Sequence, residues 1–106
     1  MLFRSKAGQS VLIAGSGPIG IMVAQVAKAY GASEVIVTDI NEERRNLALK
    51  FGATQVLDPR DAKFADVKAD LFIDATGVTQ AITDGISRTK TGGSVILVGK
   101  IGRAHV

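Results

Sequence analysis

The residues with the clearest chemical purpose in this chain are three glycines and one acid. Gly15, Gly17 and Gly20 fall in the stretch Gly15-Ser16-Gly17-Pro18-Ile19-Gly20, directly after the apolar run Ser10 to Ala14 and before a glycine-free apolar pattern. In such a turn the first glycine permits the tight bend. The second lets a phosphate approach bare backbone, and the third lets the following helix pack against the strand. The helix that opens there presents unpaired N–H groups and partial positive charge, which suits an anion. A glycine turn alone can be only a turn. Asp39, however, lies 19 residues beyond Gly20, at the end of the next apolar run, where a carboxylate accepts hydrogen bonds from the hydroxyls of an adenosine ribose. Strand, glycine turn, helix, strand and acidic end make a whole dinucleotide-binding unit.

The identity of residue 39 bears on the cofactor. A carboxylate there bonds a free 2′-hydroxyl and repels a 2′-phosphate, so NAD is expected and NADP is disfavoured. Arg44 and Arg45 pull mildly the other way, because guanidinium groups pair well with phosphate. Arg44 could instead stack on an adenine face, or be a solvated helix residue paired with Glu42 or Glu43. Further along, Asp74-Ala75-Thr76-Gly77 and Val98-Gly99 close two more apolar runs. Ligands of open α/β sheets sit beyond the carboxyl ends of the strands. The small residues Ala75, Thr76, Gly77 and Gly99 there leave room for ribose and nicotinamide, or make ordinary turns.

These residues need a scaffold, and the sequence pattern supplies one. Ser10–Ala14, Val35–Thr38, Gln55–Leu57, Leu71–Ile73 and Ser94–Val98 are predicted as strands, and continuous apolar runs of this kind suit a parallel sheet buried on both faces. Apolar residues at Ile19, Met22, Val23, Val26 and Tyr30 have helical spacing. Pro18 suits the first helical turn and Gly31 a left-handed cap. A second helix is predicted from the N-cap Asn41 to about Phe51, with Glu42 and Glu43 in its first turn, Leu47 and Phe51 inward and Gly52 as its stop. Asp61–Lys68 is weakly amphipathic through Phe64 and Val67, and a third helix is expected from Thr79 to about Thr89, carried by Ile82 and Ile86 and weakened by Gly85. Alternating strands and helices predict an α/β doubly wound Rossmann-type sheet. Right-handed crossovers give strand order 3-2-1-4-5, with the usual sixth strand missing.

The chain has 106 residues, room for one domain. It is 46% hydrophobic but only 5% aromatic, which favours a Val/Ile/Leu/Ala core. No leader or bilayer-spanning stretch is evident, so a cytoplasmic protein is expected, without membrane partners. Cysteine is absent, which excludes disulfides, thiolate metal sites and a cysteine nucleophile from this chain. The ends look foreign: Met1–Ser5 and Ile101–Val106 can be back-translated to opposite strands of one sequencing-adapter stretch. Residues 1–5 and 100–106 are therefore expected to be scars around a domain at 6–99. Without Arg4 and Arg103 the net charge of +3 falls to +1, which gives no support to nucleic-acid binding. The one histidine, His105, falls in the same terminal stretch. An unpaired sheet edge would leave the isolated chain sparingly soluble.

The stretch "AGQSVLIAGSGPIGIMVAQVAKAYGASEVIVTDINEERRNLALKFGATQVLDP", with "DLFIDATG" and "GGSVILVG", resembles the zinc-dependent medium-chain alcohol dehydrogenase family, especially its sorbitol, threonine and butanediol dehydrogenase branch. The resemblance covers nearly all of 6–99. It implies that Ile19 contacts the cofactor at the turn and that Asp39 binds the adenosine ribose. It also implies that Arg44 lies by the adenine and that Val98-Gly99 line the nicotinamide side. Pro18 and Ile40, flanking turn and acid, complete the candidate set, and Lys100 departs from the small or apolar residue common there. The resemblance further implies a homo-oligomeric parent enzyme acting on an alcohol or polyol. Its catalytic zinc would be held by Cys, His and Glu or Asp ligands from a separate upstream domain, with no catalytic residue in this chain. Three rivals remain open: an AdoMet-dependent methyltransferase, a zinc-free quinone or enoyl reductase, and a non-catalytic NAD-sensing module.

Overall fold

A computed structural model describes residues 8–99. The segments 1–5 and 100–106, with Lys100 and His105, lie outside the described residues. Five parallel strands, β1 (Ser10–Ala14), β2 (Glu34–Thr38), β3 (Gln55–Leu57), β4 (Ala69–Asp74) and β5 (Thr89–Leu97), form one sheet. Their order is β3-β2-β1-β4-β5, as the doubly wound rule requires. Three helices, α1 (Pro18–Ala29), α2 (Glu42–Lys50) and α3 (Thr79–Ser87), connect them, together with a 3-10 turn at Ala62–Asp66.

Side chains alternate along each strand, so one sheet supports two cores. Val11, Ile13, Val35, Val37, Leu71 and Ile73 pack with Ala24 and Ala27 of α1 and Ala48 of α2. On the opposite face Leu12, Ala14, Ile36, Leu57 and Phe72 pack with Phe64 and Val67, and Ala81 of α3 leans against them. The weakly amphipathic stretch at 61–68 thus anchors through the expected pair, Phe64 and Val67, in a single 3-10 turn.

The helices meet the sheet through small residues, and here expectation and structure part. Leu47 and Phe51 are each 43% exposed, while Ala48 is fully buried between them. In α1 the buried residues are Gly20, Ala24 and Ala27; Met22, Val26 and Tyr30 lie outward. In α3 it is Gly85 that is buried, and Ile86 is exposed. A Cβ at Gly85 would fall on the Phe72 ring. The large aliphatic and aromatic side chains of the strands already fill the interlayer space, so close packing leaves room only for small helix residues beneath. The glycine that weakens α3 in isolation therefore seats it on the sheet.

Helix ends follow the local signals. The Asn41 side chain caps α2 by accepting from the Arg44 N–H at 2.9 Å. Gly31 and Gly52 take φ of +91° and +119° after α1 and α2. β5 begins five residues earlier than its apolar run suggests, at Thr89, because Ala69 pairs with Thr89 before the register shifts around Asp70. β5 lies at the sheet edge with Val95, Leu97 and the adjoining Val98 exposed.

Candidate dinucleotide-binding site

The strand order reverses between β1 and β4, and a cavity of about 560 Å³ opens at that point, at the carboxyl ends of the strands. Its walls include Gly15, Ser16, Gly17, Asp39, Ile40, Arg44, Ala75 and Thr76. Its inner side is formed by Leu12, Phe64, Phe72 and Ala81 of the second core, with Pro59 and Arg60 at the end of β3. A cleft with an apolar floor and a few convergent polar groups is the usual form of a small-molecule site.

Two of the three glycines meet steric demands of the fold, and the third does not. Gly15 takes φ of +98°, and its amide donates to the Thr38 carbonyl at 2.8 Å, closing the turn onto β2. A Cβ at Gly20 would fall on the Gly15 carbonyl oxygen, so only glycine lets α1 start against the turn. Gly17 is different. Its φ of −72° is open to any residue, and nothing lies within 4 Å of where a Cβ would project. Neither backbone strain nor protein packing asks for glycine at this position. Gly17 is the N-cap of α1 and supplies no side-chain cap; Pro18 is the first helical residue, and the first turn carries no acidic residue. The Ile19 and Gly20 amides have no intrahelical acceptor, so bare backbone, open space and free N–H groups coincide. That combination fits a pyrophosphate. Pro18 and Ile19 are exposed at this helix start.

Asp39 is held rather than free. Its Oδ2 accepts from the Ser16 amide at 3.0 Å and the Ser16 hydroxyl at 2.8 Å; its Oδ1 accepts from the Asn41 amide at 2.8 Å. Partial burial alone would raise its pKa. The bonds from Asn41 and Ser16, with the positive charge of Arg44, outweigh that and hold the carboxyl below its ordinary value. The residue expected to face a ribose therefore also ties the glycine turn to β2. Ser16, 1% exposed, is a site residue that sequence reasoning passed over as a variable position of the motif. Its signal was a hydroxyl between two glycines.

Asp74 is the second residue missed as an organiser. It is fully buried at the end of β4. Its Oδ1 accepts from the Thr76 hydroxyl at 2.6 Å and the Thr76 amide at 3.2 Å, and its Oδ2 accepts from the Gly77 amide at 2.8 Å. Its backbone carbonyl accepts from Val98 at 2.8 Å and Gly99 at 3.1 Å. A Cβ at Gly99 would fall on the Gly77 amide nitrogen. Gly77, Val98 and Gly99 are thus gathered around Asp74 and stand apart from the cavity walls that Ala75 and Thr76 help form. An acid ending an apolar run just before Thr-Gly was the available signal.

The described residues contain no cluster of three or more His, Cys, Asp or Glu able to hold a metal ion, and the sequence has no cysteine. These residues do not fit a catalytic zinc of the thiolate–imidazole type. Among the described residues, no helix is long and apolar enough to cross a membrane.

Comparison with known proteins agrees with this fold. The chain is 42% identical over 100 residues to L-threonine 3-dehydrogenase of Colwellia psychrerythraea, covering 87% of this chain and 29% of that one. Among solved structures, a zinc-binding dehydrogenase from Sinorhizobium meliloti bound to NADP superposes with a TM-score of 0.87 at 29% identity, over 95% of this chain and 32% of that one. 2R,3R-Butanediol dehydrogenase from Bacillus subtilis superposes with a TM-score of 0.83 at 28% identity, over 92% and 30%. The chain thus spans less than a third of the length of the relatives it matches. The profile described as zinc-binding dehydrogenase matches residues 18–106, and with its Rossmann-type sheet and glycine turn the chain belongs to the zinc-binding dehydrogenase family.

Proposed function

We propose that this chain is the NAD-binding part of a zinc-dependent alcohol or polyol dehydrogenase. Such an enzyme passes hydride between a secondary alcohol and nicotinamide. The observation that carries this reading is the convergence, in one cavity, of the open Gly17 backbone at an uncapped helix start with the fixed Asp39 carboxylate. Gly15, Gly17 and the Ile19 and Gly20 amides would hold the pyrophosphate. Asp39 would take the adenosine ribose, Ile40 and Arg44 the adenine side, and Ala75 and Thr76 the nicotinamide half, with Gly77, Val98 and Gly99, gathered around Asp74 outside the cavity walls, bordering it. The bound cofactor supplies the hydride acceptor. This chain's own residues bind and orient it, and none acts as acid, base or metal ligand. In the parent enzyme, which we read as cytoplasmic and homo-oligomeric, the zinc ligands would come from a separate domain.

The preference for NAD rests on charge: a depressed, fully ionised Asp39 repels a 2′-phosphate. Arg44 in the same wall and the NADP-bound relative make NADP the reading to test against. Fluorescence titration of the chain with NADH and NADPH, with AdoMet as competitor, decides it. The expected result is saturable binding, tightest for NADH and undisturbed by AdoMet. Binding of AdoMet alone would overturn the dehydrogenase reading.

A further inference from the structure

A second carboxylate stands beside Asp39 at the same sheet edge. Register pairs Thr38 with Leu57, and the Asp39 amide donates to the Leu57 carbonyl at 3.2 Å, so the residues following β2 and β3, Asp39 and Asp58, are neighbours. Arg45 bridges them: its Nη1 donates to the Asp39 carbonyl at 2.8 Å and lies 3.7 Å from Asp58 Oδ2. Asp58 in turn grips Arg60 in a fork, Nε donating to Oδ1 at 2.9 Å and Nη2 to Oδ2 at 2.6 Å. Arg60 and Arg44 both line the cavity with Asp39. Two acids thus meet three guanidinium groups around the position expected to face the ribose, and Asp58 occupies the Nε–Nη2 edge of one of them.

We propose that Asp58 is a selectivity residue: by filling the guanidinium fork of Arg60 it withholds from the cavity mouth a cation that would otherwise take a 2′-phosphate. This rests on the dinucleotide reading above. A guanidinium fork matches carboxylate and phosphate alike, so whichever anion holds it excludes the other. Asp39 then discriminates by repulsion and Asp58 by denying the attraction that would offset it. The bonds from Arg60 hold the Asp58 carboxyl well below the ordinary carboxylate range, so it is the carboxylate, the form that can hold the fork, at neutral pH.

The competing account is that Asp58 only locks a turn, since its Oδ1 also accepts the Arg60 amide at 2.9 Å. Asp58→Asn separates the two, because the asparagine Oδ1 can still accept that amide while the anionic fork is lost. The experiment is fluorescence titration of the full chain with NADH and NADPH, read as the ratio of the two dissociation constants. In D58N the NADPH/NADH ratio is expected to fall by about fivefold, the upper end for one exposed charge pair at about 1 kcal/mol. In D58N/R60A it should return to the parent value. R60A alone, which does not depend on D58N folding, should leave the ratio at the parent value. A shift in D58N below about threefold, about 0.65 kcal/mol by the same conversion, overturns the proposal. So does a gain that survives loss of Arg60, or an R60A ratio raised about threefold or more, which would show Arg60 already serving the phosphate. A parent chain that binds neither dinucleotide removes the underlying reading and this one with it. A parent that prefers NADH while D58N leaves the ratio unmoved removes the Asp58 assignment alone.

Discussion

Replacing Asp39 with asparagine should cost stability as well as cofactor affinity, and the geometry says how much. Both carboxylate oxygens accept backbone N–H groups, from Ser16 on Oδ2 and Asn41 on Oδ1. Asparagine has one acceptor oxygen, so one of those amides must face an NH₂ group instead. Ser16 is buried and Asn41 is exposed, so the cheaper orientation keeps oxygen on Ser16 and releases the Asn41 amide to water. What is lost is one hydrogen bond and the charge that strengthens the other two. Bonds to charged groups contribute about 1.5–3 kcal/mol against about 0.5–1.5 for neutral ones, and partial exposure trims the difference, so the cost is about 1–2 kcal/mol. For a domain of this size that is a fall in Tm of roughly 5–15 °C. The pH dependence adds a second check. Asp39 has a depressed pKa in the fold, so its contribution is present above the unfolded value of about 3.9 and is lost as pH falls through the lower folded one. The gap between parent and D39N, followed by circular dichroism in dilute solution, should be widest near neutrality and close in acid. Asp58 and Asp70 are also depressed, but both are common to the two proteins and cancel in the difference. A D39N protein that melts within about 2 °C of the parent, well under the shift for 1 kcal/mol, would refute the structural role of this carboxylate.

Other substitutions separate fold from site. Gly17→Ala should change stability by no more than about 1 kcal/mol, the usual range at an N-cap, yet weaken NADH binding severalfold or more by titration, because its Cβ enters the space left for the pyrophosphate. Gly20→Ala should instead lower stability sharply, by about 3 kcal/mol or more, since the clash is with backbone. Gly85→Ala should cost about 1–3 kcal/mol through overpacking on Phe72, and Phe72→Leu in the same chain should recover part of it. Saturating NADH at about a hundred times its dissociation constant should raise stability by about 2.7 kcal/mol, and should do so less in G17A.

The topology was legible in the sequence because it rests on long-range simplicity: apolar runs of strand length, glycines at φ > 0 positions, and a chirality rule that leaves one strand order. The glycine turn was legible because Gly15 and Gly20 answer to demands of the fold itself, a positive φ and a helix started against the turn, whereas Gly17 answers to none within the protein. The helix faces were not. Periodicity weighs apolar size and so points Leu47 and Phe51 inward, whereas the space left over strands of Val, Ile and Phe admits only Ala48. Ser16, Asp58 and Asp74 were obscured for other reasons. Ser16 reaches Asp39, and Asp58 comes beside it, through strand register, and no local pattern records a partner on another strand; the carboxylates of Asp58 and Asp74 bond residues two and three places on, Arg60, Thr76 and Gly77, which apolar periodicity does not weigh.

The way Asp39 is held has a consequence for how a ligand would arrive. An ionised carboxylate offers about four lone-pair directions. Ser16 takes two of them on Oδ2 and Asn41 takes one on Oδ1. A diol presenting two hydroxyl protons would find a single vacancy waiting and would have to evict a protein donor to claim a second. The donor cheapest to lose is the Asn41 amide, at the very start of α2 and open to solvent. Full engagement of the ribose would then be an exchange of hydrogen bonds, felt first as a loosening of the N-terminal end of α2.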